Sequence, residues 1–566
     1  MNPSFAPAGT SAAPRPSRRT ALLAAAALLL PFAVFFGDGR YLGSGDTAPA
    51  ELLPIAVLEH HALNFDAFVR PNETPPYWFR VRNGHVVSDY PVVPGLLNVP
   101  VFAAAKAAGL PLFEDRFRLS LVTSAALAAG SVLFLFLALR RIGRSDLAAF
   151  GFALLYAFGT EVWSVAGKGL FQQGPSLFFL TLALWLLQVE TPPAAAVAAL
   201  SLGLAIGIRP TNFLIAAPLV FWEMRRRPRG RSTFLILFAL PVVLVAAHAA
   251  ASWGDPFTLA RNVVPAGFSG SAPGGLAGLL LSPARGLFVF SPFLIFAIPA
   301  AVAAWRRPGS LFARCLSVAA VLTLAAFSRW RIWWGGHSFG YRILIEIVPL
   351  LVLLIAGVWP KIARRRWASA LFTVFAAASI FVQYLGARFY PSGFNDDIDR
   401  EPERLWQIRD SEIPRLAARV LGPSAPASAP AREPSRVATP PPHWTRGAAA
   451  DDTIPGALDY PRPDSSVRGA LRISGWARSP AGPVDVQILL SPGDRLVSVA
   501  RLPRPDVCAA VPSLGDCSQA GFEAPLEPEP SAAEHLLVVE LKGPDGRARR
   551  LGPVRFFWRP APPATR

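Results

Sequence analysis

The chemistry this sequence offers rests on a few charged residues. Asp46 stands in Gly43-Ser-Gly-Asp46-Thr-Ala-Pro-Ala-Glu51-Leu-Leu-Pro54, just ahead of an apolar run, and Asp66 follows shortly after. A carboxylate held above a membrane surface can serve as a general base or as a metal ligand. The plainer reading of Asp46 is an N-cap, because aspartate oxygens satisfy the free N–H groups at a helix start. The two roles are compatible. Lys168, Arg209, Arg285 and Arg342 are the matching cations. The planar fork of arginine suits a phosphate or diphosphate, to which it donates paired hydrogen bonds. Against that, each cation can simply snorkel from a helix end, and Glu346, four residues after Arg342, can pair with it along one helix. His60, His61 and His337 have no metal-ligand spacing, so no metal is assigned unless Asp46 holds a cation. No Gly-rich nucleotide-phosphate loop stands out.

These residues belong to a chain of 566 residues that is 52% apolar and only 16% charged, with a mean hydropathy of +0.38. Soluble domains carry about 25% charged residues, so a soluble enzyme, a disordered chain and a coiled coil are disfavoured. Eleven apolar stretches approach the length of a membrane span: 20–36, 116–139, 146–163, 174–190, 193–208, 211–224, 233–252, 286–305, 310–328, 341–359 and 367–386. The net charge of +18 would ordinarily raise nucleic acid as a partner. The arginines argue otherwise. They cluster between the stretches, at Arg15/Arg18/Arg19, Arg140/Arg141/Arg144, Arg225–Arg231, Arg306/Arg307/Arg314 and Arg364–Arg366. Eleven crossings bring all five clusters to one side, which the positive-inside rule makes cytoplasmic. Residues 37–115, 164–173, 253–285, 329–340 and the chain from about 387 then lie outside.

Within the first external segment, residues 52–58 suit a short helix lying on the membrane, and the apolar stretch 91–108 is an interfacial helix. Residues 20–36 form an uncleaved anchor rather than a signal peptide, since no clean small-residue cleavage site follows. Glu161, Lys168, Arg209, Arg285, Arg342 and Glu346 all fall at or near outer ends of spans. A transporter places such groups near the midplane, on interrupted helices in repeated halves. Trp330, Trp333, Trp334, Phe339 and Tyr341 read as an interfacial belt, with a sugar platform as the alternative.

The tail has its own organisation. Residues 387–422 are mixed, with an amphipathic run near Leu405–Leu416, and residues 423–454 form a Pro/Ala-rich linker. Residues 455–566 carry short alternating runs, such as Leu471–Trp476, Val484–Ile488 and His535–Glu540, with a hairpin signal at Pro544-Asp-Gly546. They predict a small β-sandwich, a packing, partner or glycan-binding module. Cys508 and Cys517, with eight residues between them, are expected to form an extracytoplasmic disulfide. Cys315 lies in a span as a buried thiol.

Several stretches resemble a known family. Ser44-Gly-Asp46-Thr, with Leu63-Asn-Phe-Asp66 and Ser88-Asp-Tyr-Pro91, is similar to the first external loop of GT-C integral membrane glycosyltransferases. The likeness is to bacterial relatives of the protein O-mannosyltransferase and lipid A aminoarabinose transferase group. Trp253-Gly-Asp-Pro-Phe257, Ser282-Pro-Ala-Arg285-Gly-Leu-Phe288 and Trp333-Trp-Gly-Gly-His-Ser-Phe-Gly-Tyr-Arg342 resemble an uncharacterised branch of it. The resemblance covers about residues 20–415. It implies a GT-C-like bundle of about eleven transmembrane helices, an all-α membrane domain followed by the all-β sandwich. It also implies transfer of a sugar from a polyprenyl phosphate to a glycan, lipid or protein acceptor at the external face of the cytoplasmic membrane. Asp46 would activate the acceptor or bind a divalent cation. Family members commonly carry a second acidic residue directly after the first; here Thr47 follows, leaving Glu51 or Asp66 as the partner. Arg342 and Arg285 would contact the donor phosphate, with Lys168 and Arg209 behind them. Two other readings stand beside this one: a lipid or polysaccharide transporter or flippase, and a non-catalytic cell-envelope scaffold.

Overall fold

A computed structural model describes residues 17–69, 75–257, 267–306 and 309–421, apart from 392–393, 396–397 and 400. From 454 onward it describes the strands and the short segments bordering them. The chain divides into two compact units: residues up to 392 with 397–422, and residues 393–396 with the chain from 423.

The first unit is helical. Its helices include α1 (Arg18–Gly37), α2 (Ala48–His60), α3 (Val93–Ala107), α4 (Arg116–Arg141), α5 (Asp146–Phe158), α6 (Gln173–Leu186), α7 (Pro192–Ile208), α8 (Phe213–Arg226) and α9 (Arg231–Trp253). Beyond these lie Ala272–Leu281, Ala297–Arg306, Leu311–Ser328, Val348–Ala363, Arg366–Phe389 and Glu412–Leu421. Among the described residues, six helical segments are long and apolar enough to cross a membrane: α1, α4, α9, Leu311–Ser328, Arg342–Ala363 and Arg366–Phe389. The other stretches form shorter or broken helices. With 13 residues, α5 spans only about 20 Å. A π-helical turn over Val162–Ala166 follows it.

Local signals explain the boundaries. Ser17, Ser145 and Thr191 each accept a backbone N–H at the start of α1, α5 and α7. Gly254 closes α9 in the left-handed conformation.

Successive connections meet at alternate ends of the bundle. At one end, Thr20 donates to Asp146 (2.7 Å) and Arg226 pairs with Glu190 (2.7 Å). That end joins α1's start to the α4–α5 turn, and α8's end to the α6–α7 turn. At the other end Arg40 donates to the carbonyls of Ala387 (3.0 Å) and Tyr390 (2.8 Å). The segments after α1, α5, α7 and Leu311–Ser328 gather there.

Residues 38–69 and 75–115 build a cap from α2, α3 and a hairpin of β1 (Phe79–Arg82) and β2 (His85–Ser88). The apolar side of α2 differs from its sequence reading. Leu53 and Ile55 are buried against Phe65, Phe79 and Val86 on one flank and Phe102 and Leu119 on the other, so this side of α2 packs on protein. Buried Asn98 of α3 joins three helices. Its amide donates to the Ala50 carbonyl (3.2 Å) and to the Ser120 hydroxyl (2.9 Å), and its carbonyl accepts from Thr123 (2.6 Å).

The second unit contains a five-stranded sheet, ordered β4-β11-β10-β6-β7, and a four-stranded sheet, ordered β3-β5-β9-β8. Their ranges are β3 Gly456–Tyr460, β4 Ser465–Arg468, β5 Leu471–Ala477, β6 Asp485–Ser491, β7 Arg495–Val497, β8 Ala500–Leu502, β9 Gly521–Leu526, β10 His535–Lys542 and β11 Ala548–Arg559. The alternating runs form these strands, and one buried cluster draws on both sheets: Ile473 and Phe522 from one, Ile488, Leu490, Leu537 and Val539 from the other. Residues 423–453 of the expected 423–454 linker, and Asp545 and Gly546 of the Pro544-Asp-Gly546 hairpin signal, lie outside the described residues.

Asn98→Ala leaves three buried partners unsatisfied. An unmet buried hydrogen-bonding group costs about 1–3 kcal/mol. We expect this variant to lower the thermal unfolding midpoint of the purified protein, and Asn98→Leu to do the same despite its apolar character.

Candidate functional site

Asp46 sits in the tight turn that leads into α2. The Thr47 N–H donates to the Ser44 carbonyl (3.0 Å), and the Ser44 N–H to the Thr47 hydroxyl (3.0 Å). Thr47, not Asp46, directly precedes the helix, and it makes no side-chain cap bond. The Asp46 carboxylate instead points away and collects three side-chain donors. Tyr90 and Tyr77 donate to Oδ1 (2.6 and 3.1 Å), and Arg342 Nη2 donates to Oδ2 (2.8 Å). Gly45 permits this closeness: a Cβ there would run into the Tyr77 hydroxyl and the Trp78 ring. Both members of the ion pair keep some contact with solvent, with 25% of the Asp46 side chain and 12% of that of Arg342 exposed.

Arg342 is delivered by the turn Trp333–Tyr341, which is held from several sides. Arg342 Nη2 also donates to the Gly335 carbonyl (2.8 Å), and the guanidinium lies over the Phe171 ring at 4.9 Å. Buried Arg285 donates through Nε to the Trp334 carbonyl (2.9 Å) and through Nη2 to the Gly336 carbonyl (3.1 Å). Its Nη1 pairs with Glu412, which is equally buried. Tyr390 donates to the His337 carbonyl (2.6 Å), and Asp399 receives Trp334 Nε1 (2.8 Å) and pairs with His337 (2.9 Å). Beneath the turn, the buried Glu161 carboxylate accepts the Tyr341 N–H through Oε1. Gly340 crosses directly over that carboxylate at φ +62°, where a Cβ would collide with Oε1.

The remaining expected site residues are placed elsewhere. Lys168 is fully buried at the end of α1, bonded to the Phe35 carbonyl (2.6 Å) and to Asp38 (2.5 Å). Arg209 pairs with Glu346 (2.5 Å), which replaces the intrahelical Arg342–Glu346 pair considered from spacing. Arg285 is the clamp just described. All three cations already have a buried or nearly buried carboxylate partner, which leaves Arg342 as the cation joined to Asp46. Glu51 does not bond Asp46: it is buried and accepts the hydroxyls of Thr47 (2.5 Å) and Tyr41 (2.6 Å) through Oε1. Asp66 pins the hairpin, accepting the Val86 N–H (2.6 Å) and bonding His85 (2.6 Å). Cys517 is disulfide-bonded; Cys508, its expected partner, lies outside the described residues. Cys315 is a free buried thiol.

Tyr77, Tyr90, Asp38, Glu412 and Asp399 carry contacts that spacing did not assign. Tyr90 was the one with a signal, inside Ser88-Asp-Tyr-Pro91.

The electrostatics follow from this geometry. Burial alone would raise the Asp46 carboxyl, but the adjacent Arg342 charge and the donated bonds of Tyr90, Arg342 and Tyr77 outweigh it and hold it below its ordinary value. Burial, then the Asp46 charge, pushes the Tyr90 and Tyr77 hydroxyls up, so both remain donors. Burial also pushes Glu51 up, against the bonds from Thr47 and Tyr41. A divalent cation does not fit this donor set. Among the described residues no three His, Cys, Asp or Glu side chains come together, and Arg342 places a positive charge on the carboxylate such an ion would need.

Gly340→Ala places a side chain where left-handed backbone alone costs about 1–3 kcal/mol and adds the collision with Glu161. We expect a lower thermal midpoint, partly restored when Glu161→Ala is combined with it. Asp46 has a depressed folded-state value, so its stabilising contribution is complete above its unfolded value of about 4. It is lost as pH falls through the depressed value. We expect Asp46→Asn to flatten the acid limb of the midpoint-against-pH curve. Comparison with protein-family models, with curated proteins and with solved structures finds no match to the chain.

Proposed function

We propose that the chain is an integral membrane glycosyltransferase that moves a sugar from a polyprenyl-phosphate donor to an acceptor hydroxyl at the membrane surface. In this reading it crosses the cytoplasmic membrane about eleven times, with a cytoplasmic N-terminus, and the two C-terminal sheets form an extracytoplasmic sandwich. The observation that carries the proposal is the Asp46–Arg342 pair: a carboxylate and an arginine, both partly exposed, opposed at 2.8 Å at one end of the bundle. That is the chemical minimum for activating a hydroxyl beside a departing phosphate.

The reaction is a displacement with inversion at the anomeric carbon. Asp46 accepts the proton of the acceptor hydroxyl as its oxygen forms the new glycosidic bond. The bond between the anomeric carbon and the phosphate oxygen breaks, and its electron pair leaves with the polyprenyl phosphate. The phosphate passes from one negative charge toward two, so Arg342 beside it stabilises the transition state more than the ground state. Tyr77 and Tyr90 orient the carboxylate through their donated bonds. Glu161, Arg285 and Tyr390 are positioning residues that fix the turn carrying Arg342. The location of the charged groups at helix ends favours this reading over a transporter, which needs a midplane site.

The test is consumption of polyprenyl-phosphate sugars by the purified full chain and by Asp46→Asn and Arg342→Lys variants. Loss of a general base costs about 10²–10⁴-fold in rate, and we expect a fall of that order for Asp46→Asn. Equal turnover by wild type and variant would contradict the role of Asp46. Movement of intact lipid-linked sugar across vesicles without cleavage would contradict the enzyme. Unchanged turnover after removal of residues 423–566 would make the C-terminal unit an accessory.

A further inference from the structure

An arginine that must hold a phosphate is already holding a carboxylate, and the way it does so is uneven. Arg342 meets Asp46 through Nη2 alone, and the same nitrogen also serves the Gly335 carbonyl. Its Nε is buried and has no partner among the described residues. The guanidinium is nonetheless held, lying over the Phe171 ring at the end of the clamped turn. Half of the fork is thus preorganised and unused. Asp46, in turn, does not depend on Arg342 for its position, because Tyr90 and Tyr77 hold its other oxygen.

We infer that Asp46 occupies, in the resting protein, the seat that a lipid-borne phosphate takes on Arg342, so that donor binding exchanges one anion for the other and releases the carboxylate to act as base. The inference rests on the glycosyltransferase reading and adds a regulation to it. A phosphate has oxygens enough to engage the fork at two points, which a carboxylate held elsewhere by two tyrosines does not do. Arriving phosphate therefore gains a bond that Asp46 leaves unmade. Once a phosphate takes Arg342 Nη2, Asp46 Oδ2 is freed while Oδ1 keeps its tyrosine bonds, and the phosphate charge offsets the positive charge that most opposes the effect of burial. Its basicity rises when the leaving group is seated and at no other time. A resting site with its own charges matched avoids leaving an exposed, unpaired base beside the membrane.

The consequence separates this arrangement from an ordinary ion pair. If Asp46 competes for Arg342, removing its charge strengthens phosphate binding even as it abolishes turnover. A ligand whose binding-competent state is populated only in part loses affinity by that fraction, so freeing Arg342 is worth about tenfold. The experiment measures binding of a short isoprenyl phosphate and, separately, of inorganic phosphate to the full chain in lipid nanodiscs, for wild type, Asp46→Asn, Asp46→Ala and Asp46→Asn/Arg342→Gln. Thermal midpoints establish that each is folded, and the two Asp46 substitutions guard against failure of either one. The expected result is about tenfold tighter isoprenyl phosphate binding by both Asp46 variants, with the gain abolished by Arg342→Gln. Unchanged or weaker binding by the Asp46 variants, with wild type still binding and turning over, overturns the exchange and leaves the glycosyltransferase reading intact. Absence of isoprenyl phosphate binding and of turnover in every form overturns both. A gain seen with inorganic phosphate but not with the isoprenyl ester overturns the lipid-borne source. A gain that survives Arg342→Gln overturns the role of Arg342.

Discussion

The ion pair between Asp46 and Arg342 joins two segments 296 positions apart in the chain, and much of the surrounding architecture serves to bring them together. Asp46 needs a turn tight enough to aim away from α2, a glycine before it, and two tyrosines delivered by the segments on either side of the hairpin. Arg342 needs a turn rich in carbonyls that has no room for a side chain at Gly340. Neither residue could reach the other on a freely moving loop without an entropic cost that a partly exposed pair would not recover.

The other buried charges are best understood as fasteners for that arrangement. Lys168 with Asp38 ties α1 to the segment after α5, Arg209 with Glu346 ties the α7–α8 connection to the start of Arg342–Ala363, and Arg285 with Glu412 ties the Trp333–Tyr341 turn to the helix Glu412–Leu421. Such pairs add little net stability over apolar residues of the same shape, because each charge loses its hydration. Breaking one leaves an unmatched buried charge, which is strongly unfavourable. Their value is specificity of arrangement. Matched cations of this kind are poor phosphate binders for the same reason, since a ligand would have to displace a buried carboxylate.

What was legible in the sequence follows from the range of each interaction. Long apolar stretches declare helices because membrane-scale length and composition are local properties, and each of the eleven contains helical backbone, although 146–163 and 286–305 are broken and 174–190 ends early. Alternating runs such as Leu471–Trp476 and His535–Glu540 declare strands by the same logic. Asp46 was legible as a residue of interest from its place ahead of an apolar helix, and Arg342 from its place at the outer end of an apolar stretch. The partners were not legible. Whether Arg285 faces a ligand or Glu412 depends on packing across 127 positions, and spacing carries no information about that. Tyr77 was hidden for the same reason, and Tyr90, although inside Ser88-Asp-Tyr-Pro91, gave no sign of its partner: a tyrosine flanking a hairpin looks ordinary until the fold turns it toward Asp46. The shortness of α5 also departs from the sequence reading. An apolar run continues past its end, but the backbone changes to a π-turn at Val162–Ala166, where Glu161 must be presented to the turn above.

The most direct test of the account is an experimental structure of the full chain with an isoprenyl phosphate bound. The account requires phosphate oxygens on Arg342, Asp46 separated from that arginine yet still accepting from Tyr90 and Tyr77, and the Trp333–Tyr341 turn unmoved. A phosphate bound elsewhere, with the Asp46–Arg342 pair intact, would contradict it.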